Sequence, residues 1–211
     1  MRSTTTLVLW VALMFVGASR AQDYPYFPNQ TGPFLLKISA SGSEYDGMYL
    51  SPQDTGLLYH QPVVVTAINS SRDVFYFNTT FAADGHFIDG VQTGLLVWNL
   101  LSSGILQRYT SPLQFQSNLI SNVITTAFFP SSFGQTIGFD LDNKLCALWT
   151  HGYRDATIPS ENVSRPGNLF YNWHVCQTFF NNYNLTSLNW VTGGEPINRS
   201  CRAVNVTKEA V

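Results

Sequence analysis

Alternating apolar and polar residues run through much of the chain and predict β-strands. In residues 73–81, Tyr76 and Asn78 share one face while the phenylalanines share the other, which is the period of a strand with one face in a core. A glycan on Asn78 would therefore place the phenylalanines inside. Residues 62–68 form a β-branched run typical of a strand buried on both faces. Residues 93–101 are so uniformly apolar that period does not decide between strand and short helix.

A hairpin is predicted for residues 137–149, where two apolar runs flank an Asp-Asn turn at 142–143. The residues assigned to its inner face are Ile137, Phe139, Leu141, Leu145, Ala147 and Trp149. Upstream, residues 22–33 contain three prolines and are predicted to form an extended arm before a first strand at 34–39.

The last third of the chain predicts a closing set of strands. Apolar residues recur at every second position around Trp173, Val175, Val204 and Val206, and two of the runs carry a cysteine. Many short strands between turn signals, without a convincing amphipathic helix, indicate a single all-β domain, either a sandwich or a barrel. The repeated unit of strand, Asp-Gly or Asp-Asn turn and strand is compatible with a β-trefoil-like barrel, although no clean threefold repeat is visible.

The N-terminal segment predicts secretion. Arg2 precedes an apolar run at residues 7–18 and a small-residue exit at 19–21, the features of a signal peptide over residues 1–21. The mature chain then begins at Gln22, and residues 22–211 form one domain. No later apolar run approaches the ~20 residues of a membrane-spanning helix, so we expect release, or retention at a surface through contacts.

Charge excludes one class of partner. The 11 Lys and Arg residues include Arg2 and Arg20, so the mature chain has 9 basic against 13 acidic residues, a formal charge near −4. That balance provides no positive field for nucleic acid or anionic lipid. Only 11% of residues are charged, and attached glycans would supply the missing surface solvation.

Seven N-glycosylation acceptor patterns follow the predicted signal peptide. They begin at Asn29, Asn69, Asn78, Asn162, Asn184, Asn198 and Asn205. An occupied acceptor must face solvent, so each site also predicts the outer face of its strand or loop.

Three cysteines remain in the mature chain, and three pairings are possible. Alternation places Cys176 on the face of His174 and Cys201 on the face of Asn205, so both point outward from neighbouring strands within bridging distance. We predict a Cys176–Cys201 disulfide in an oxidising compartment. Cys146 is left as a free, buried and inert thiol.

Signatures of metal, cofactor and nucleophile sites are missing from the sequence. Patterns such as H-E-x-x-H, C-x-x-C, G-x-S-x-G and a Gly-rich phosphate loop do not occur. The four histidines, His60, His86, His151 and His174, lie far apart. We therefore predict no metal, no cofactor and no catalytic residue, while a serine triad assembled from distant residues stays open.

Carboxylates and aromatic residues offer two weaker indications of carbohydrate chemistry. A glycosidase needs two acids across a cleft, and the candidates are Asp84 with Asp89, Asp140 with Asp142, Glu161 and Glu195. Several of these acids sit in turns, which explains them locally. A sugar-binding face would use tyrosines in loops, namely Tyr24, Tyr26 and Tyr153, whereas Trp98, Trp149, Trp173 and Trp190 are predicted to be core.

Five short motifs carry a family resemblance. They are W-H-V-C at 173–176, L-N-W at 188–190, C-R-A-V-N-V at 201–206, F-L-L-K-I-S-A-S at 34–41 and G-M-Y-L-S-P-Q-D-T-G at 47–56. In these segments the chain resembles small secreted ascomycete proteins of unknown function and is distantly similar to fungal phialide-associated cell-wall proteins. The resemblance implies a fungal extracellular or cell-wall protein with a β fold, and it carries over no catalytic residue.

Two functional hypotheses follow. The first is a secreted, N-glycosylated, non-enzymatic protein that binds a cell-wall glycan or a host or cell-surface protein. The second is a secreted enzyme, either a glycoside hydrolase with an unrecognised carboxylate pair or a cyclase or isomerase with an apolar pocket. Convergent acids in a cleft, or a buried histidine in an apolar cavity, would favour the second.

Overall fold

The structure is a computed structural model that describes residues 29–56, 58–68, 72–79, 87–101, 108–117, 120–149 and 168–211. Several predictions concern residues outside this set: the signal peptide over 1–21, Gln22, Tyr24, Tyr26, Asn69, Asp84, His86, His151, Tyr153, Glu161, Asn162 and the side chain of Trp149.

Fifteen strands make up the regular structure of the described residues. They are β1 (Asn29–Ser39), β2 (Tyr49–Asp54), β3 (His60–Val65), β4 (Phe75–Thr79), β5 (Phe87–Ile88), β6 (Val91–Leu101), β7 (Arg108–Gln116), β8 (Val123–Phe128), β9 (Thr136–Phe139), β10 (Leu145–Trp149), β11 (Asn168–Phe170), β12 (Trp173–Phe180), β13 (Tyr183–Val191), β14 (Arg202–Ala203) and β15 (Asn205–Ala210). No described segment forms a helix long and apolar enough to cross a membrane.

Eight of these strands close into an antiparallel barrel, which confirms the predicted all-β class and selects the barrel over the sandwich. The closed order is β1, β2, β3, β13, β8, β7, β6, β4 and back to β1. The remaining seven strands extend it: β12 and β14 continue beyond β13, β9 to β11 continue beyond β6, β5 forms a short hairpin with β6, and β15 lies along β1. Closure gives each of the eight barrel strands a partner on both sides, although β1 meets β2 and β3 meets β13 through one residue pair each.

Aromatic and aliphatic side chains together fill the interior. The largest fully buried residues are Trp173, Trp190, Phe75, Phe128, Leu36, Ile38, Leu50, Leu96, Leu113, Ile137, Leu145 and Leu188. Trp173 and Trp190 meet edge to face with their ring centroids 4.8 Å apart, a favoured geometry for aromatic pairs. Trp98 is also buried, and Val175, Val204 and Val206 line the same core. The predictions for these residues are therefore confirmed.

The disulfide joins Cys176 and Cys201, as predicted, and Cys146 is free and buried. The prediction that both bridged cysteines point outward is only half right. They face away from the main core, but they are buried in a second small cluster with Val123 and Val191. The chain between β13 and β14 runs beside β12, where Asn198 and Ser200 bond to the backbone of Gln177, and it brings Cys201 next to Cys176.

Two local predictions are corrected by the structure, for residues 29–33 and for Leu141, and the open assignment of residues 93–101 is settled. The segment 29–33 is not an arm but the first part of β1, where Gln30 pairs with Asn78 of β4. The apolar segment 93–101 belongs to a strand, β6. Leu141 does not belong to the inner face of the 137–149 hairpin, because β9 ends at Phe139 and the chain turns outward, leaving Leu141 99% exposed.

Candidate functional site

An open cavity lies where two hairpin turns meet the end of β11. Its volume is about 480 Å³, within the ~300–1,000 Å³ typical of small-ligand sites. The lining residues are Asp89, Gly90, Val91, Asp140, Leu141, Asp142, Leu169 and Tyr171. The cavity thereby brings together Asp89, Asp140 and Asp142, three of the acids that the sequence analysis considered for sugar chemistry.

The first turn joins β5 to β6 through Asp89 and Gly90. Both residues have positive φ, 51° and 80°, as expected for a two-residue turn whose twist matches the flanking strands. Aspartate and glycine tolerate this backbone conformation better than other residues do. The turn thereby holds the exposed Asp89 side chain at the rim of the cavity.

The second turn joins β9 to β10 and is organised by Asp140. Its Oδ1 accepts hydrogen bonds from the backbone N–H groups of Asp142 at 2.9 Å and Lys144 at 2.8 Å. Its Oδ2 accepts a bond from the Tyr171 hydroxyl at 3.0 Å. Asn143 completes the turn with φ at 59°, which asparagine tolerates. Asp140 therefore fixes the turn and the tyrosine together.

Tyr171 is the aromatic wall of the cavity and is 40% exposed. Burial, followed by the hydrogen bond to Asp140, raises the pKa of its phenol to about 12. The hydroxyl is consequently neutral at ordinary pH and acts as a hydrogen-bond donor to the carboxylate. Its bond to Asp140 holds the ring in one orientation.

The cavity combines acceptors with apolar surface. Asp142 is exposed, and its carboxylate lies 3.6 Å from the ammonium of Lys144, a surface ion pair of small energetic value. Leu141 projects into solvent at the tip of the turn, and Leu169 is half-buried behind it. Carboxylates accept hydrogen bonds from hydroxyl groups, while Tyr171 and Leu141 offer surface to C–H groups.

Of the other candidate acids, only Glu195 lies in the described part of the chain, and it does not line this cavity. The backbone carbonyl of Glu195 accepts a 2.9 Å bond from the Asn122 side chain in the loop between β13 and β14. Glu195 is therefore part of another surface.

The sequence did not predict Tyr171 or Leu141 as site residues. Tyr171 was not considered because it follows a strand and does not lie in a long loop. The apolar residue Leu141 lies in a turn between two aspartates, and this position was the one sequence feature that could have indicated an exposed apolar contact at the site.

The two described histidines are buried to different degrees and bond to the backbone. Burial lowers the pKa of His60 and of His174. Each ring Nδ1 lies 3.2 Å from a carbonyl oxygen, that of Leu58 or Asn172. The His60 ring also packs on Trp98 with centroids 4.4 Å apart. These contacts orient each ring. Within the described residues, neither histidine has a carboxylate group as a hydrogen-bond partner.

No group of three histidine, cysteine, aspartate or glutamate residues within the described part of the chain is arranged to hold a metal ion. The Cys146 thiol is buried and is not placed to act as a nucleophile. Its Sγ lies 3.3 Å from the Gly138 carbonyl, and burial raises the pKa of the thiol to about 11. It remains protonated and unreactive at ordinary pH.

The predicted glycosylation sites occupy unequal positions. Asn29, Asn184 and Asn205 are exposed. Asn198 is half-buried, and its amide donates a 2.8 Å bond to the carbonyl of Gln177. Asn78 is only 5% exposed and accepts a 2.7 Å bond from the Gln30 side chain.

Comparison of the chain with protein-family models, with curated proteins and with solved structures gave no match.

Proposed function

We propose that this is a secreted, N-glycosylated protein of the cell wall or extracellular space that binds glycan through the cavity lined by Asp89, Asp142 and Tyr171. The single observation that carries the proposal is the placement of solvent-facing carboxylates beside an oriented tyrosine ring and an uncovered leucine. A sugar ring presents hydroxyl donors at its edge and C–H groups on its face. The two kinds of surface in the cavity match those two kinds of group.

The sequence supports the extracellular part of the proposal. The N-terminal segment has the features of a signal peptide. The disulfide between Cys176 and Cys201 is typical of proteins from oxidising compartments. The resemblance to fungal wall proteins suggests the relevant glycans, namely the structural polysaccharides of the wall.

Binding fits the cavity better than hydrolysis does. A glycoside hydrolase needs one carboxyl group free to donate a proton to the leaving oxygen. Asp140 is unavailable for that role, because both of its oxygens already accept hydrogen bonds from the turn and from Tyr171. Asp89 and Asp142 are exposed, where they can accept hydrogen bonds from sugar hydroxyls. The cyclase or isomerase alternative needs an apolar pocket, whereas the barrel interior is filled by residues such as Trp173 and Phe128.

The test is retention on insoluble chitin, β-1,3-glucan and cellulose, followed by calorimetric titration with soluble oligosaccharides of whichever polymer retains the protein. The double variant Asp89→Asn with Asp142→Asn weakens hydrogen bonds to sugar hydroxyls, and Leu141→Ala removes apolar contact. We expect the dissociation constant to rise about tenfold or more for the double variant, since hydrogen bonds to charged groups contribute ~1.5–3 kcal/mol.

Matched controls come from the loop between β13 and β14. Glu195 is an exposed acid and Ile197 is 68% exposed, so Glu195→Gln and Ile197→Ala repeat the chemical changes away from the cavity. Equal weakening in the control and cavity variants would contradict the proposed site. Failure to bind any of the three polymers would contradict the proposed ligand class.

A further inference from the structure

The hairpin of β12 and β13 presents an uncovered aromatic ring directly across from a glycosylation acceptor. The two strands turn through Asn181 and Asn182, whose φ angles are 47° and 68°, a backbone typical of a tight two-residue hairpin turn. The register pairs Phe179 with Asn184. Side chains of such directly opposed residues lie on the same face of the hairpin, with Cβ atoms ~5 Å apart.

The two faces of this hairpin differ. On one face, Phe180 packs edge to face with Tyr59 at 6.0 Å, and Tyr59 stacks on Phe129 at 5.0 Å. On the other face, Phe179 is 69% exposed. A large apolar ring on a strand is normally covered by a neighbour, and in the described structure Phe179 lacks such a cover.

Asn184 begins the acceptor pattern Asn-Leu-Thr. Its side chain is exposed, and Thr186 lies on the same face because strand residues alternate. A sugar attached to Nδ2 of Asn184 therefore starts its path beside the Phe179 ring. The flat C–H face of N-acetylglucosamine is the kind of surface that packs on an aromatic ring.

We propose that Phe179 is the platform for the first N-acetylglucosamine attached to Asn184. In the modification, Nδ2 of Asn184 forms a bond to the anomeric carbon of a lipid-linked oligosaccharide, the diphosphate-lipid leaves, and the amide loses one proton. The inference rests on the secretory route in the proposed function. It adds that this glycan covers Phe179 and stabilises the hairpin.

A second exposed acceptor provides the comparison. Asn205 begins β15 and pairs with Ser39 of β1, so a sugar there meets a small polar side chain in place of a ring. Sugar on Asn184 is thus expected to stabilise the fold through its neighbour, whereas sugar on Asn205 is not.

The experiment uses the full chain secreted from a eukaryotic host, with glycans trimmed enzymatically to one N-acetylglucosamine. Urea unfolding is measured for the wild type, Phe179→Ala, Asn184→Gln and the double variant, each before and after trimming. We expect loss of the Asn184 sugar to raise the equilibrium constant for unfolding about two- to fivefold when Phe179 is present. In the Phe179→Ala background the same loss should have no effect. Asn205→Gln should have no effect in either background.

Two results would overturn the inference. One is an equal effect of the Asn184 sugar with and without Phe179. The other is an Asn184 that carries no sugar while other acceptors are occupied. A chain with no sugar at any acceptor would count against the secretory route itself. Retention on polysaccharide is measured on the same Phe179→Ala protein and is expected to be unchanged. Retention therefore tests the cavity proposal, while urea unfolding tests the role of Phe179.

Discussion

The hydroxyl of Tyr171 donates a 3.0 Å hydrogen bond to Oδ2 of Asp140, whose other oxygen accepts two backbone N–H groups of the following turn. One carboxylate thereby joins β9, the turn after it and the residue that follows β11. The shape of the cavity depends on this junction, so its hydrogen bond can be tested apart from any ligand.

Replacing Tyr171 with phenylalanine should remove a strongly alkaline step from the tyrosine titration. The pKa of the folded phenol, about 12, lies above its ordinary value near 10. Its contribution to stability is therefore complete below pH 10 and is lost as pH rises through 12. Phenolate absorbance read within milliseconds of a pH jump measures the step. A Tyr171→Phe protein that loses amplitude only well below pH 11 would contradict the contact.

Thiol counting distinguishes the three cysteines. Because the pKa of Cys146 is about 11 and the residue is buried, roughly one thiol in a thousand is ionised at pH 8. A disulfide-exchange reagent should label no thiol in the native protein, one after unfolding, and three after unfolding with reduction. Rapid labelling of the native protein, or three thiols without reductant, would contradict the assignment.

Removing the disulfide should destabilise the protein strongly. Cys176 and Cys201 are 25 residues apart, and closing a loop of that length stabilises a fold by about 3 kcal/mol in the chain-entropy description. The double variant Cys176→Ala with Cys201→Ala should lose about that much in urea unfolding. Cys146→Ala is the control for losing a buried sulfur without a cross-link. A loss no larger than that of the control would contradict the expected role of the bridge.

Alternation in the sequence predicts much of the barrel but fails where a strand is buried on both faces. In β6, four consecutive residues are all buried, namely Leu95, Leu96, Val97 and Trp98. Apolar and polar residues therefore do not alternate there, and the sequence does not identify the strand. Periodicity likewise does not show that Asn78 is buried and bonded to Gln30 of the neighbouring strand β1. Periodicity reports one covered face, and it cannot report a neighbour that covers the other.

The cavity was beyond what the sequence could show. Asp89 and Asp140 were each recognisable as turn residues with carboxylates, but they are 51 positions apart. Their meeting depends on β6 pairing with β9 in the register Gly94 with Ile137. Such a long-range register is set by the packing of the whole sheet rather than by the two turns.

Asn78 should carry no glycan when the chain is expressed through a eukaryotic secretory pathway, although it belongs to an acceptor pattern. Its side chain is buried and bonded to Gln30, so an attached sugar would have no path to solvent. Peptide mapping should find Asn78 unmodified and Asn205 modified. Asn78→Ala should cost about 0.5–1.5 kcal/mol, the net contribution of one hydrogen bond, because it removes the bond from the exposed Gln30 side chain. Asn205→Ala, on an exposed position, should stay within about 0.5 kcal/mol.

His60 should make the fold more sensitive to acid. Burial lowers the pKa of its imidazole below the ordinary 6.5, against smaller opposing effects of the Leu58 carbonyl and Asp54. Its contribution to stability is therefore present above pH 6.5 and is lost as pH falls through the folded pKa, because the unfolded chain binds the proton more readily.

Glutamine at position 60 stays neutral, so the free energy of unfolding of His60→Gln should fall less steeply from pH 7 to pH 5. The difference in slope is at most about 1.4 kcal/mol per pH unit. Urea unfolding at four or five pH values measures it, and parallel curves for the two proteins would show that His60 is not the group responsible.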